Sequence, residues 1–260
     1  MGSQTYLNCA VPGAVLERVR YYPRQLIDAN TLTTDQEYER HKARQHNRLL
    51  HGWGVVCGLK VKANPNDKHP WRVAVCPGFA LAPQGDAIEV SMPVDFDLAT
   101  GTPSSQDPCA SASPCPPLGN VVEEADERFA YLAVRYTECY SRPERVPSAG
   151  CGCDESACEY ARIRDGFELK VLFDLPESHR RAAEADEAWC QQIKRWARPD
   201  EQGPAPVPPC PECSGDPWVV IARIQLPQKA EAPIDERRIG YEGRRVLYGA
   251  TALWTIVRCV

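Results

Sequence analysis

Cys151, Cys153 and Cys158, in the order Cys-Gly-Cys-x4-Cys, and the pair Cys210-Pro-Glu-Cys213 are the side chains best spaced to share one ion. Such short spacings let thiolates converge, and zinc takes four of them tetrahedrally at about 2.3 Å. Both groups lie in turn-rich stretches with little apolar content, where a metal would hold together a loop that has no core of its own. The expected site draws three ligands from Cys151, Cys153 and Cys158, and a fourth from Cys139 or the Cys210/Cys213 pair. The chain has 13 cysteines, and two other readings stand beside structural zinc: disulfides formed after release from the cell, and free thiols. Cys109 and Cys115, bracketing Ala-Ser-Ala-Ser-Pro, read as a bridged loop. Cys57 and Cys76 fall inside apolar strand patterns and read as small core residues.

The remaining chemistry-bearing residues form no catalytic pattern. His41, His46 and His51 recur every five residues, a net turn of about 140° each on an α-helix, so one helix cannot aim all three at one ion. Asp35, Glu37 and Glu39 read as the acidic first turn of a helix. There is no Gly-x-Ser-x-Gly elbow, phosphate-binding loop, dinucleotide fingerprint or His-Glu-x-x-His. The chain is therefore not expected to be an enzyme. Carboxylate pairs for glycoside hydrolysis are set by space rather than by spacing, which leaves a cell-wall hydrolase as the enzymatic alternative.

Two kinds of element must position these residues. Thr34-Asp35-Gln36-Glu37 matches a capping box and predicts a helix from Asp35 to Leu50, closed by Gly52 as the left-handed C′ residue. That helix is polar almost all round, with Tyr38, Ala43, Leu49 and Leu50 as exceptions. A helix without an apolar stripe gains little from burial in its own subunit and suits a bridge between bodies. Residues 53–61 and 71–76 then read as strands, and 77–90 as a hairpin around a Gln-Gly-Asp turn, together a small meander. Residues 129–138 and 160–173 read as strands that pair across the Cys-rich loop, and 218–226 as a buried strand. Residues 177–197 carry a narrow stripe of Ala183, Trp189, Ile193 and Trp196, predicting a helix packed on the sheet. Periodicity leaves 246–257 open between strand and short helix. Residues 103–120, rich in Ser, Pro and Cys, read as an exposed loop, and 198–211 as a proline-rich connector that favours extended, stiff backbone.

The order YYPRQLIDANTLTTDQEYERHKARQHNRLLHGWGVVCGL, VAVCPGFALAPQGDAIEV, FAYLAVRYTE, a Cys-rich loop into YARIRDGFELKVLFDLP, PCPEC, WVVIARIQL and IDERR resembles a family of uncharacterised bacterial and phage proteins. Such proteins tend to be encoded with contractile tails and phage-tail-like injection systems. The resemblance spans roughly residues 20–250 and carries no catalytic motif. It implies a structural or assembly role near a baseplate, or on a tube or sheath.

Bulk properties agree with a structural protein. The 260 residues are 43 % apolar and 25 % charged, enough for a proper core. A net charge of −5 and a pI near 5.6 argue against gripping nucleic acid. No run of about 18 apolar residues predicts a membrane span, and no basic n-region precedes an apolar stretch, so synthesis in the cytosol is expected.

The fold expected is α+β and mainly β, with an antiparallel sheet or barrel-like core, a polar N-terminal helix, a second helix and long Cys/Pro-rich loops. Residues 1–52 form an arm and the polar helix. Residues 53–260 form the β-rich core, with inserts at 101–126, 140–159 and 198–216. The partners expected are further copies, as a trimer or hexamer, and other tail proteins. Tyr38, His41, Gln45 and Arg48, spaced 3, 4 and 3 apart, lie on one helix face and are the expected contact residues. A binding module for sugar or a cell surface is the alternative, marked by exposed aromatics at loop ends.

Overall fold

The computed structural model describes residues 16–103, 129–145, 158–198, 203–211, 214–229 and 231–259. The described chain is α+β and mainly β, with every strand pairing antiparallel and no sheet closed into a barrel.

The first helix, α1, runs Ala29–His46 and continues through a π-helical turn at Asn47–His51 to Gly52 at φ 80°. It starts six residues earlier than the capping box implies. The cap is Asp28, whose carboxylate accepts from the Thr31 hydroxyl and from the Thr31 N–H at 2.8 Å, and these bonds, the hydroxyl's first, hold the Asp28 carboxyl below its ordinary range. Thr34 instead donates its hydroxyl to the Asn30 carbonyl inside the helix. A carboxylate caps at least as well as a threonine, so the upstream aspartate sets the boundary.

The strands β1 (Gly54–Gly58), β4 (Gly78–Leu81) and β5 (Ala87–Val90) form one sheet. A second sheet joins β2 (Val61–Ala63), β3 (Arg72–Val75), β6 (Val94–Asp97) and β7 (Thr102–Pro103). Residues 53–90 are therefore not one meander, because successive strands are dealt to two sheets. The register of β1 slips between Val55 and Cys57. One extra residue inverts the alternation, so Val55 stays buried while Cys57 turns to solvent, against the core role expected for it.

The third sheet runs β11 (Ile239–Gly240), β10 (Val219–Gln225), β8 (Phe129–Arg145), β9 (Cys158–Leu172). Strands β8 and β9 pair from Tyr131↔Leu172 out to Arg145↔Cys158, so residues 140–145 and 158–159 are strand rather than insert. Ala130, Leu132, Val134, Leu169 and Val171 at its base join the main core with Phe96, Ile88 and Ile221. Beyond Tyr136 burial fades, and β9 is exposed from Cys158 to Asp165.

Two further α-helices follow among the described residues, α2 (Glu177–Trp196) and α3 (Ala250–Cys259). The latter resolves the ambiguous C-terminal segment as helix.

Candidate assembly surfaces

Polar side chains seat α1. Arg44, only 7 % exposed, directs its guanidinium to Asp86, with Nε 2.6 Å from Oδ1. Asn47 donates to the Gly85 carbonyl at 2.9 Å. Both partners belong to the Gln-Gly-Asp turn between β4 and β5. Gly85 has φ 97°, and a Cβ there would run into the backbone carbonyl of Arg44. Only glycine therefore allows the turn and the helix backbone to meet. One helical turn earlier, Arg40 pairs with Glu138 on β8 and lies over the Tyr136 ring, 5.8 Å from its centre. The Tyr136 hydroxyl sits 2.8 Å from Glu138 and 2.6 Å from Asp165. Burial, then these two carboxylates, push its pKa upward and keep the phenol protonated as a donor.

Tyr38, His41, Gln45 and Arg48 are all half-buried, on the flank that adjoins Arg44. Lys42 donates to Gln45 at 3.3 Å. Burial, then Arg44, Arg48 and Lys42, hold the His41 imidazole below its ordinary range. The opposite side faces water and carries Leu32 on α1 at 50 % exposure and Leu50 on the π turn at 70 %. His46 and His51 meet edge to face at 5.2 Å, because the π turn lengthens the local repeat toward five residues.

The other helices are seated differently. Only Ser178 and His179 of α2 are buried. Ile193 and Trp196 of its stripe are exposed, so α2 is not packed along a sheet as its pattern predicts. Its ties elsewhere include an ion pair of Asp186 with Arg245 and a bond from the Trp196 indole to the Gly203 carbonyl. Apolar side chains of α3 are exposed as a group: Leu253, Trp254, Ile256 and Val257. At the other end, residues 16–28 are an arm in which no residue is buried, with Tyr21, Tyr22, Leu26 and Ile27 exposed.

The cysteine set is divided. Cys151, Cys153 and Cys213 lie outside the described residues. Cys158 and Cys210 are exposed free thiols. Cys139 is disulfide-bonded, which removes it as a fourth thiolate ligand. Among the described residues no group of three or more His, Cys, Asp or Glu side chains is placed to hold a metal. Also among them, no helix is long and apolar enough to cross a membrane.

No family model and no curated protein matches this chain. A crystal structure of TssK is similar at 11 % identity and a TM-score of 0.38. That match covers 85 % of this chain and 41 % of the TssK chain, so this chain spans about two-fifths of its length. A likeness this low carries no argument about role.

Sequence reasoning missed Arg44, Asp86, Arg40, Glu138 and His179. The Gln-Gly-Asp turn was visible, but nothing local links Asp86 to an arginine 42 positions earlier. Nothing in the repeat of α2 distinguishes its first-turn histidine from a surface one.

Proposed function

We propose that this protein is a non-catalytic assembly component of a contractile injection system or phage-tail particle, acting through protein–protein contacts. The observation that carries the assembly reading is α3, which holds Leu253, Trp254, Ile256 and Val257 in water. Four large apolar side chains on ten residues gain nothing from solvent and mark a surface kept for a partner. The exposed arm of residues 16–28 supports the same reading at the other end of the chain. The particle type rests on the sequence resemblance across residues 20–250. The partners proposed are further copies in a closed trimer or hexamer, and other particle proteins met after synthesis in the cytosol.

Light scattering on a sizing column tests the self-association. A discrete oligomer that becomes a monomer when the chain stops at Gly249 is the expected result, and a full-length monomer overturns it. Sedimentation tests the particle: the tagged protein should pellet with tail-like particles, and its absence from them removes that assignment. A structural zinc on Cys151, Cys153 and Cys158 with a ligand from Cys210 or Cys213 remains part of the proposal. Elemental analysis of the reduced protein should find about one zinc per chain.

One observation favours a second reading, a sugar- or surface-binding module. Tyr140 and Tyr160, 69 % and 56 % exposed, stack at 5.8 Å on the outer part of the β8–β9 hairpin. Glycan-array binding that a Tyr140→Ala, Tyr160→Ala double variant loses would select it.

A further inference from the structure

The first turn of α2 ends on a buried titratable group that the assembly reading leaves unused. His179 is 4 % exposed, and its Nε2 accepts the Val220 N–H at 3.1 Å. The ladder between β10 and β8 slips between Val220 and Ala222, and at that bulge the Val220 N–H is bonded to the imidazole. The other ring nitrogen, Nδ1, lies 3.3 Å from the Ser178 hydroxyl, which in turn donates to Asp216 at 3.3 Å. The docked imidazole is thus neutral with its one proton on Nδ1, since Nε2 is in use as an acceptor. Trp53 meets the ring edge to face at 4.6 Å.

We propose that His179 is an acid-sensitive latch: a proton taken from solvent onto Nε2 releases α2 from β10. The second proton occupies the lone pair that Val220 N–H needs, so one bond breaks and a buried backbone donor loses its partner. The charge is poorly received. The guanidinium of Arg245 is near the imidazole and packs on the Trp53 ring at 5.2 Å. The carboxylate on Arg245, Asp186, is already engaged, and Asp216 is one hydroxyl away. Ser178 and His179 are the buried residues of α2, so its seat on β10 is concentrated at this first turn.

The sign follows from proton uptake. Burial, then Arg245, hold the docked imidazole down to about 4, whereas a released one takes its proton near 6.5. Above that range both forms are neutral and docking is at full strength. As pH falls from about 6.5 towards 4 only the released form gains a proton, and docking weakens by a factor on the order of a hundred. Release would uncover the face of Trp53 that meets the imidazole and let α2, whose Ile193 and Trp196 are already exposed, move away from β10.

Hydrogen exchange by mass spectrometry on the full chain, corrected for intrinsic rates between pH 7.5 and 4.5, tests the latch. Peptides from α2 should lose protection on acidification while those from β8 and β10 keep it. His179→Gln, whose amide oxygen accepts from Val220 and does not titrate, should keep α2 protection flat. Three results would overturn the latch: α2 protection independent of pH, His179→Gln following the wild type, or β10 opening together with α2. Should the variant not fold, NMR titration of the wild-type imidazole decides. A ring that gains its proton in step with α2 opening supports the latch, and one that titrates while α2 stays protected refutes it.

Discussion

Helices α1 and α3 invert the usual rule in opposite directions. In α1 the only buried side chain is an arginine, and the helix is fixed by the ion pairs of Arg44 and Arg40, a hydrogen bond from the Asn47 amide and a glycine contact. In α3, a helix with a clear apolar side leaves Leu253, Trp254, Ile256 and Val257 in water. Amphipathic pattern alone would have seated α3 and left α1 free. The difference teaches that complementary geometry at a few points decides what docks within the chain. Apolar surface left over is then available between chains.

The largest test of this contrast is at the glycine. Gly85→Val forces a branched side chain into φ 97° and against the Arg44 carbonyl, and should cost about 4 kcal/mol in denaturant unfolding, with α1 losing exchange protection. If stability holds, the close approach is not what seats α1. Next is the charge. Arg44→Ala strands Asp86 and should cost about 3 kcal/mol, and adding Asp86→Ala should recover part of the loss because no half-buried carboxylate is then left unpaired. A double variant no better than the single would mean that packing of the arginine stem matters more than its charge. The smallest effect on stability is expected where most apolar surface changes. Leu253→Ser with Trp254→Ser should shift unfolding by no more than about 0.5 kcal/mol while reducing the oligomer seen by light scattering. A large loss of stability there would show that α3 is seated after all, and the contrast would fail.

Much of the sheet was legible because burial leaves a period in the sequence. The alternation in β8 and β9, the apolar run of β10 and the Gln-Gly-Asp hairpin all follow from side chains sorted by face. Where a single residue breaks the period, legibility ends: the slip after Val55 reverses Cys57 without any local signal. The π turn at Asn47–His51 is equally silent and brings together two histidines that an α-helix would separate. For the assembly surfaces the polarity of α1 was readable, but its seat was not. Arg44 and Asp86 are ordinary surface residue types whose value comes from meeting across 42 positions. The stripe of α2 was read correctly as apolar and wrongly as covered, because a repeat states which side avoids water and not what stands opposite it.

The β8–β9 hairpin carries a mechanical consequence. Its paired backbone continues from Tyr136 to Arg145, where Cys158 faces it. At about 3.3 Å per residue this is roughly 30 Å of ladder beyond the core. Tyr136, Glu138, Asp165 and Arg40 tie its neck to α1, so the hairpin and the helix share one fulcrum. A force applied at the Cys158 end would act through that length on the contact of Arg40 with Glu138 and Tyr136 at the neck.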